Sequence, residues 1–100
     1  MIMVKHLGNQ WKQKCERGLL LAKKLGNIYT GSLYNGLLTY ICDEDIDLRK
    51  KKLLLFSYGS GCAASMFYVT VKGDYSKIQQ TAQFKERLAS RVRLSPTEYD

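Results

Sequence analysis

The sequence predicts a mixed α/β fold in which a β-hairpin is covered by helices, and three observations carry that prediction. Leu33, Tyr34, Leu37, Leu38 and Ile41 recur at helical spacing within residues 28–42. Two apolar runs, residues 52–58 and 62–72, flank the turn Gly59, Ser60, Gly61 and read as antiparallel strands. After Gly73 the pattern returns to an amphipathic helix. A helix, then a hairpin, then further helices is the order of a sheet whose apolar face is buried by helices.

A chain of 100 residues with 45% hydrophobic composition suffices for one small domain or for part of a larger one. The formal charge of +7 comes from 16 Lys and Arg against 9 Asp and Glu. It admits an anionic partner, but the cations are scattered along the chain, which fits a solvated surface rather than a nucleic-acid groove. The 3 cysteines, Cys15, Cys42 and Cys62, show neither a paired framework nor metal-ligand spacing, so no metal site is expected and a reducing compartment fits. Apolar runs stop at four residues, far short of a membrane span, and the start has no cleavable signal pattern, so a soluble, cytoplasmic chain is expected.

In chain order, a weak helix over residues 4–17 would place Val4, Leu7, Trp11 and Cys15 on one side. His6 has no acidic or thiol neighbour in sequence and is read as a packed or exposed side chain rather than a catalytic one. The run from residue 19 to 22 is expected to be a buried strand, followed by a turn at Leu25 and Gly26. The helix of residues 28–42 has Gly31, Ser32, Asn35, Gly36 and Thr39 on its weakly polar side. Interior glycines destabilise a helix by about 1 kcal/mol each relative to Ala, so another backbone is expected to approach closely there. The acidic group Asp43, Glu44, Asp45 and Asp47, followed by the basic residues 49–52, reads as a solvated loop whose two halves attract. The continuous Leu53, Leu54, Leu55, Phe56 suits a strand buried on both faces. Asp74 is the natural N-cap of a long surface helix carrying Ile78, Ala82, Leu88 and Val92. Ser95, Pro96 and Glu98 have the spacing of a capping box and open one more helix.

Function concentrates in two stretches, GNIYTGSLY at residues 26–34 and FSYGSG at residues 56–61. The first is a glycine turn opening a helix, where polar groups and free N–H donors would favour negative charge. The second is a hairpin tip whose glycines admit a ligand to the backbone. Together they make a floor for an acyl or oxyanion site.

At these residues, with the small residues and aromatic that follow the second motif and the later RLASR and SPTEY, the chain resembles the C-terminal part of the eukaryotic hydroxymethylglutaryl-CoA synthases. The resemblance covers residues 18–100, taken as a partial C-terminal-like domain, and is weak over residues 1–17. It implies a thiolase-like layered fold, this piece being part of the C-terminal half, with a buried helix, an antiparallel hairpin and covering helices. It implies an acyltransferase that condenses acetyl-CoA with acetoacetyl-CoA in the mevalonate or ketone-body pathway, with CoA thioesters as substrates and no cofactor. Homodimers are implied, without nucleic-acid or membrane partners, in the cytoplasm or alternatively the mitochondrion.

By the resemblance Asn27 and Ser60 contact the acyl substrate, with Tyr29, Tyr58, Gly59 and Gly61 behind them; packing is the expected role of the two tyrosines. The family's cysteine nucleophile, general-base glutamate and histidine match residues upstream of this region, so no catalytic residue is expected here and the chain alone is expected to be inactive. Cys62 stands where the family favours an apolar residue and is expected to be a buried small side chain, and Asn35 where the family favours a small one. The alternative is a non-catalytic truncated thiolase-fold protein acting as an interaction or anion-binding module.

Overall fold

The computed structural model describes residues 8–99. His6 and the beginning of the helix expected from residue 4 lie outside them. The helix is present as α1, Gly8–Lys14. A 3-10 turn, Glu16–Leu19, runs directly into α2, Leu20–Leu25. The strand expected over residues 19–22 is therefore helical. Leu, Ala and Lys are strong helix formers and the run holds no β-branched residue, so a short apolar run that periodicity leaves ambiguous goes to helix. Leu21 is its buried member, while Leu19 and Leu20 stay exposed.

Gly26 ends α2 at φ 80°, with its N–H donating to Ala22 O at 2.8 Å. A second 3-10 turn, Tyr29–Gly31, leads into α3, Ser32–Ile41. The expected close approach is present: a Cβ on Gly36 would lie 3.5 Å from Gly18 O. The side of α3 that is best buried is this small one. Thr39 is its only buried residue and donates its hydroxyl to Asn35 O at 2.9 Å. The expected apolar stripe is only half-buried, with Tyr34 exposed. Asn35 is left with a buried Nδ2 that has no partner among the described residues.

Tyr40 locks this helix to the preceding turn, its hydroxyl donating to Lys14 O and its ring lying over Gly18. A Cβ on Gly18 would sit 2.6 Å from Tyr40 Cε2. Gly18→Ala is expected to destabilise this packing by about 1–3 kcal/mol, because the ring is tethered at its far end and cannot swing away freely. Tyrosine fluorescence and urea titration check it; an unchanged midpoint would show that the ring has room.

The acidic loop does not simply fold on its own basic half. Asp47 pairs with Arg49 at 2.8 Å, but Asp43 pairs with Arg17 at 3.0 Å and Glu44 with Lys85 at 2.8 Å. The Arg49 side chain holds the Asp47 carboxyl down to about 2, so this local contribution is present above the usual carboxylate range and lost as pH falls through that value. Amid these charges Leu48 is buried to 2% exposure, which the reading of a solvated loop missed. Its N–H donates to the Tyr75 hydroxyl at 3.0 Å, and that hydroxyl donates to Ile46 O at 3.4 Å.

Strands β1, Lys52–Gly59, and β2, Ala63–Thr70, form a two-stranded antiparallel sheet, with Leu55 opposite Phe67 and Phe56 opposite Met66. Burial on both faces is not realised. Helix α3 approaches β1, and Leu55 is buried. Side chains alternate along a strand, so Leu54, Phe56, Tyr58, Met66 and Tyr68 share the opposite face, and they are 54–70% exposed. The described residues include no second layer to cover them.

The expected long helix is two short ones, α4, Ser76–Ala82, and α5, Phe84–Ala89, broken by Gln83 at φ 47° and ψ 47°. Asp74 does not occupy the N-cap position, which is Tyr75. Its carboxylate accepts both the N–H and the hydroxyl of Ser76 at 2.9 Å, one residue inside. The break is compatible with tertiary ties on both sides: Gln79 Nε2 donates to Ile41 O at 2.6 Å, and Arg91 Nη1 donates to Lys24 O at 2.8 Å. These ties close the ends of α3 and α2, whose last carbonyls need donors. The capping box forms as expected at α6, Pro96–Tyr99: Ser95 N–H donates to Glu98 Oε2 at 2.7 Å and Glu98 N–H to Ser95 Oγ at 3.3 Å.

Candidate functional site

The segment that joins α2 to α3 is built by side chains that consume its own backbone donors. Asn27 Oδ1 accepts the Tyr29 N–H at 2.7 Å, an Asx turn, and Ser32 Oγ accepts the Ile28 N–H at 3.3 Å. The Gly31 N–H donates to Ile28 O at 3.2 Å. The free backbone donors expected at this helix start are thus largely engaged, which corrects the reading of it as a general anion site. One donor is left by the same geometry. Because Oδ1 faces Tyr29 N–H, the carboxamide is oriented and its Nδ2 remains unbonded among the described residues and exposed. Tyr29 takes φ 55° and is 85% exposed, a left-handed conformation that a bulky residue adopts only under local constraint.

Ser60 sits at the apex of the hairpin. Gly59 pairs with Ala63, leaving Ser60, Gly61 and Cys62 as a three-residue loop closed by Cys62 N–H donating to Gly59 O at 3.0 Å. The third loop position takes the positive φ that this kind of hairpin requires, and it is Cys62 at φ 85°, not a glycine. A Cβ on Gly61 would meet nothing within 4 Å and one on Gly59 only Ala63 O at 3.9 Å, so the space around this turn is open.

Asn27 and Ser60 are both exposed, and no hydrogen bond among the described residues joins their segments. Tyr29 and Tyr58, expected to pack, are exposed instead. Two open depressions on the surface, along α4 and beside the acidic loop, include neither Asn27 nor Ser60. No group of His, Cys, Asp and Glu among the described residues is arranged to hold a metal.

Cys62 is exposed, against the expectation of burial, because it stands at a turn and not in the strand. Cys15 is exposed as well, whereas Cys42 is buried and burial raises its thiol above the ordinary range. A maleimide at neutral pH is therefore expected to modify Cys15 and Cys62 rapidly and Cys42 at least tenfold more slowly, since the thiolate is the nucleophile. Peptide mass mapping against time checks the order, and early labelling of Cys42 would show that its burial is transient.

The arrangement, helices on one side of an antiparallel hairpin with the second side open, is that of an α/β fragment, and the solved structures on which it superposes place it in the thiolase-like class. The HMG synthase of the curacin biosynthetic pathway, crystallised with apo donor-ACP, superposes with TM-score 0.83 at 25% identity over 98% of this chain and 24% of its own. An HMG-CoA synthase complexed with CoA superposes with TM-score 0.71 at 37% identity, over 98% of this chain and 26% of its own. The chain belongs to the hydroxymethylglutaryl-coenzyme A synthase C-terminal family, whose model matches residues 2–100.

Curated relatives concur. Hydroxymethylglutaryl-CoA synthase A of Dictyostelium discoideum is 46% identical over 88 residues, which is 88% of this chain and 18% of the relative. Hydroxymethylglutaryl-CoA synthase 2 of Blattella germanica is 39% identical over 98 residues, 90% of this chain and 22% of the relative. The chain thus spans about a fifth of the length of these relatives. No helix among the described residues is long and apolar enough to cross a membrane.

Proposed function

We propose that these residues form one wall of the acyl-CoA site of a hydroxymethylglutaryl-CoA synthase, which condenses acetyl-CoA with acetoacetyl-CoA. The observation that carries the reading is the oriented carboxamide of Asn27, whose acceptor is spent on the Tyr29 N–H and whose donor is free. An amide N–H held in that way stabilises a thioester or ketone oxygen as it gains charge, without reorganising during the reaction. The Ser60 hydroxyl, exposed at the hairpin tip between Gly59 and Gly61, is a second contact to the acyl group. Tyr29 and Tyr58 flank the two contacts. The cysteine nucleophile, the general-base glutamate and the histidine come from the remainder of the synthase fold. No cofactor beyond the CoA thioesters takes part, and the active assembly is a homodimer in the cytoplasm.

The test is a chimera in which residues 18–100 replace the matching region of the Dictyostelium synthase A, assayed for CoA release from acetyl-CoA plus acetoacetyl-CoA. Release at a rate within about tenfold of the parent is expected. A folded chimera that takes up the acetyl group with release of one CoA per site, yet does not turn over when acetoacetyl-CoA is added, would remove the proposal.

A further inference from the structure

The RLASR stretch, which the proposed acyl contacts do not use, sets a serine hydroxyl at the end of α5 among arginines. Among the serines and threonines of the chain, only Ser90 has a cation at the third position before it, Arg87, and Arg91 and Arg93 follow it. Cations on both sides of a hydroxyl residue are a charge pattern that an acidic kinase groove reads. The structure leaves this serine within reach. Ser90 is exposed, α5 buries no residue, and residues 91–95 have no regular structure. A helix of 6 residues that begins at the left-handed Gln83 has little to hold it against unwinding into an extended groove. Other hydroxyls are committed differently. Ser76 donates to the Asp74 carboxylate at 2.9 Å, which would repel a phosphate, and Ser95 Oγ accepts the Glu98 N–H of the capping box.

The Ser90 hydroxyl donates to Arg87 O at 2.9 Å and its N–H to Glu86 O at 2.9 Å, so this residue closes the last turn of α5. A phosphate there adds a charge of about −1.5 to −2 at a helix C-terminus, the end that disfavours anions. It also takes away the proton donated to Arg87 O. Arg91 is the adjacent cation, and its guanidinium already has a task. Its Nη1 donates to Lys24 O at 2.8 Å and its Nε to Leu88 O at 3.3 Å. Both acceptors are neutral carbonyls, whereas a phosphate takes a guanidinium in two parallel bonds between opposite charges. The phosphate therefore wins the competition for Arg91.

We infer that Ser90 is a phosphorylation site for an arginine-directed serine kinase, and that its phosphate draws Arg91 off Lys24 O and unfastens α5 from the end of α2. In the transfer Ser90 Oγ attacks the γ-phosphorus of ATP. The Oγ–P bond forms, the bond from that phosphorus to the bridging oxygen breaks, ADP leaves, and the hydroxyl proton passes to the kinase's base. Lys24 stands just before Gly26 and Asn27, so the segment released is the one that leads into the candidate acyl contact. That last consequence rests on the proposed reading of Asn27. The modification and the release do not, and the experiment reads only these two.

The 100-residue chain is incubated with ATP and the catalytic domain of protein kinase C, an arginine-directed kinase. Peptide mass mapping is expected to show phosphate on Ser90, absent in Ser90→Ala and about tenfold slower to appear in Arg87→Ala. Both side chains are exposed, so the circular dichroism of these variants should be unchanged. In the phosphorylated chain the Gly26 amide, which donates to Ala22 O at the end of α2, should exchange at least about threefold faster. The Lys50 amide, at the base of the hairpin, should not change. Arg91→Ala without phosphate should speed Gly26 equally, and phosphorylating that variant should add nothing. Failure of phosphate to appear on Ser90 overturns the inference, as does an unchanged Gly26 amide. Acceleration that spreads to Lys50, or a phosphate effect that persists in Arg91→Ala, overturns it too.

Discussion

Asn27→Ala is expected to lower kcat and kcat/KM of the chimera together by about 100- to 1,000-fold, the loss that follows removal of one preorganised oxyanion donor. KM should change little, because the interaction strengthens only as the substrate oxygen gains charge. The structure makes a sharper comparison available. Asn27 performs two tasks, since its Oδ1 also holds the Tyr29 N–H at 2.7 Å. Asn27→Asp keeps an acceptor for that N–H and removes the Nδ2 donor, placing a negative charge where the substrate oxygen would develop one. If donation is the catalytic role, Asp is at least as damaging as Ala. If Asp restores the rate, Asn27 matters only as the brace of the left-handed turn at Tyr29, and the acyl contact has to be sought elsewhere.

The same residue shows what could be read in the sequence and what could not. An Asn two residues before a tyrosine in a glycine turn has the chemistry of an Asx turn, and that signal was available. The motif drew attention to the amide as a donor, while its oxygen was the part already committed. Features fixed by neighbours in sequence were legible: the Gly26 turn, the hairpin about Ser60 and the Ser95–Glu98 capping box all form. Features decided by distant contacts were not. The break at Gln83 interrupts a pattern that is helical in sequence, between ties from Gln79 to Ile41 and from Arg91 to Lys24. The continuous apolar run of β1 does describe a strand that wants both faces covered, but only one cover lies among the described residues. The positive φ at Cys62 had no local signal, because cysteine carries no preference for the left-handed region.

Leu48→Ala is expected to cost about 2–5 kcal/mol, the range for emptying a buried leucine site. Nothing in the composition of the loop marks Leu48, which stands between Asp47 and Arg49, yet it is the most deeply buried side chain among the described residues. Its backbone is held too, by Tyr75, and the neighbouring Lys50 N–H donates to Val71 O at 2.8 Å, where the ladder of the hairpin begins. Loosening Leu48 should therefore free the loop and fray the base of the sheet together. Amide exchange measures this locally and needs no cooperative melt. The Lys50 and Val71 amides should exchange about 30- to several-thousand-fold faster in Leu48→Ala, using 1.4 kcal/mol per factor of ten. Tyr75→Phe tests the other half of the anchor. It leaves the Leu48 N–H without its partner and should cost about 1–3 kcal/mol. Leu54→Ala, on the open face, should change the same amides less than about threefold, as for a surface substitution. If Leu48→Ala is as mild as Leu54→Ala, the paired charges of Asp43, Glu44 and Asp47 hold the loop and the leucine is incidental. If it is severe, those ion pairs, all at the surface, are consequences of a chain already fastened at Leu48.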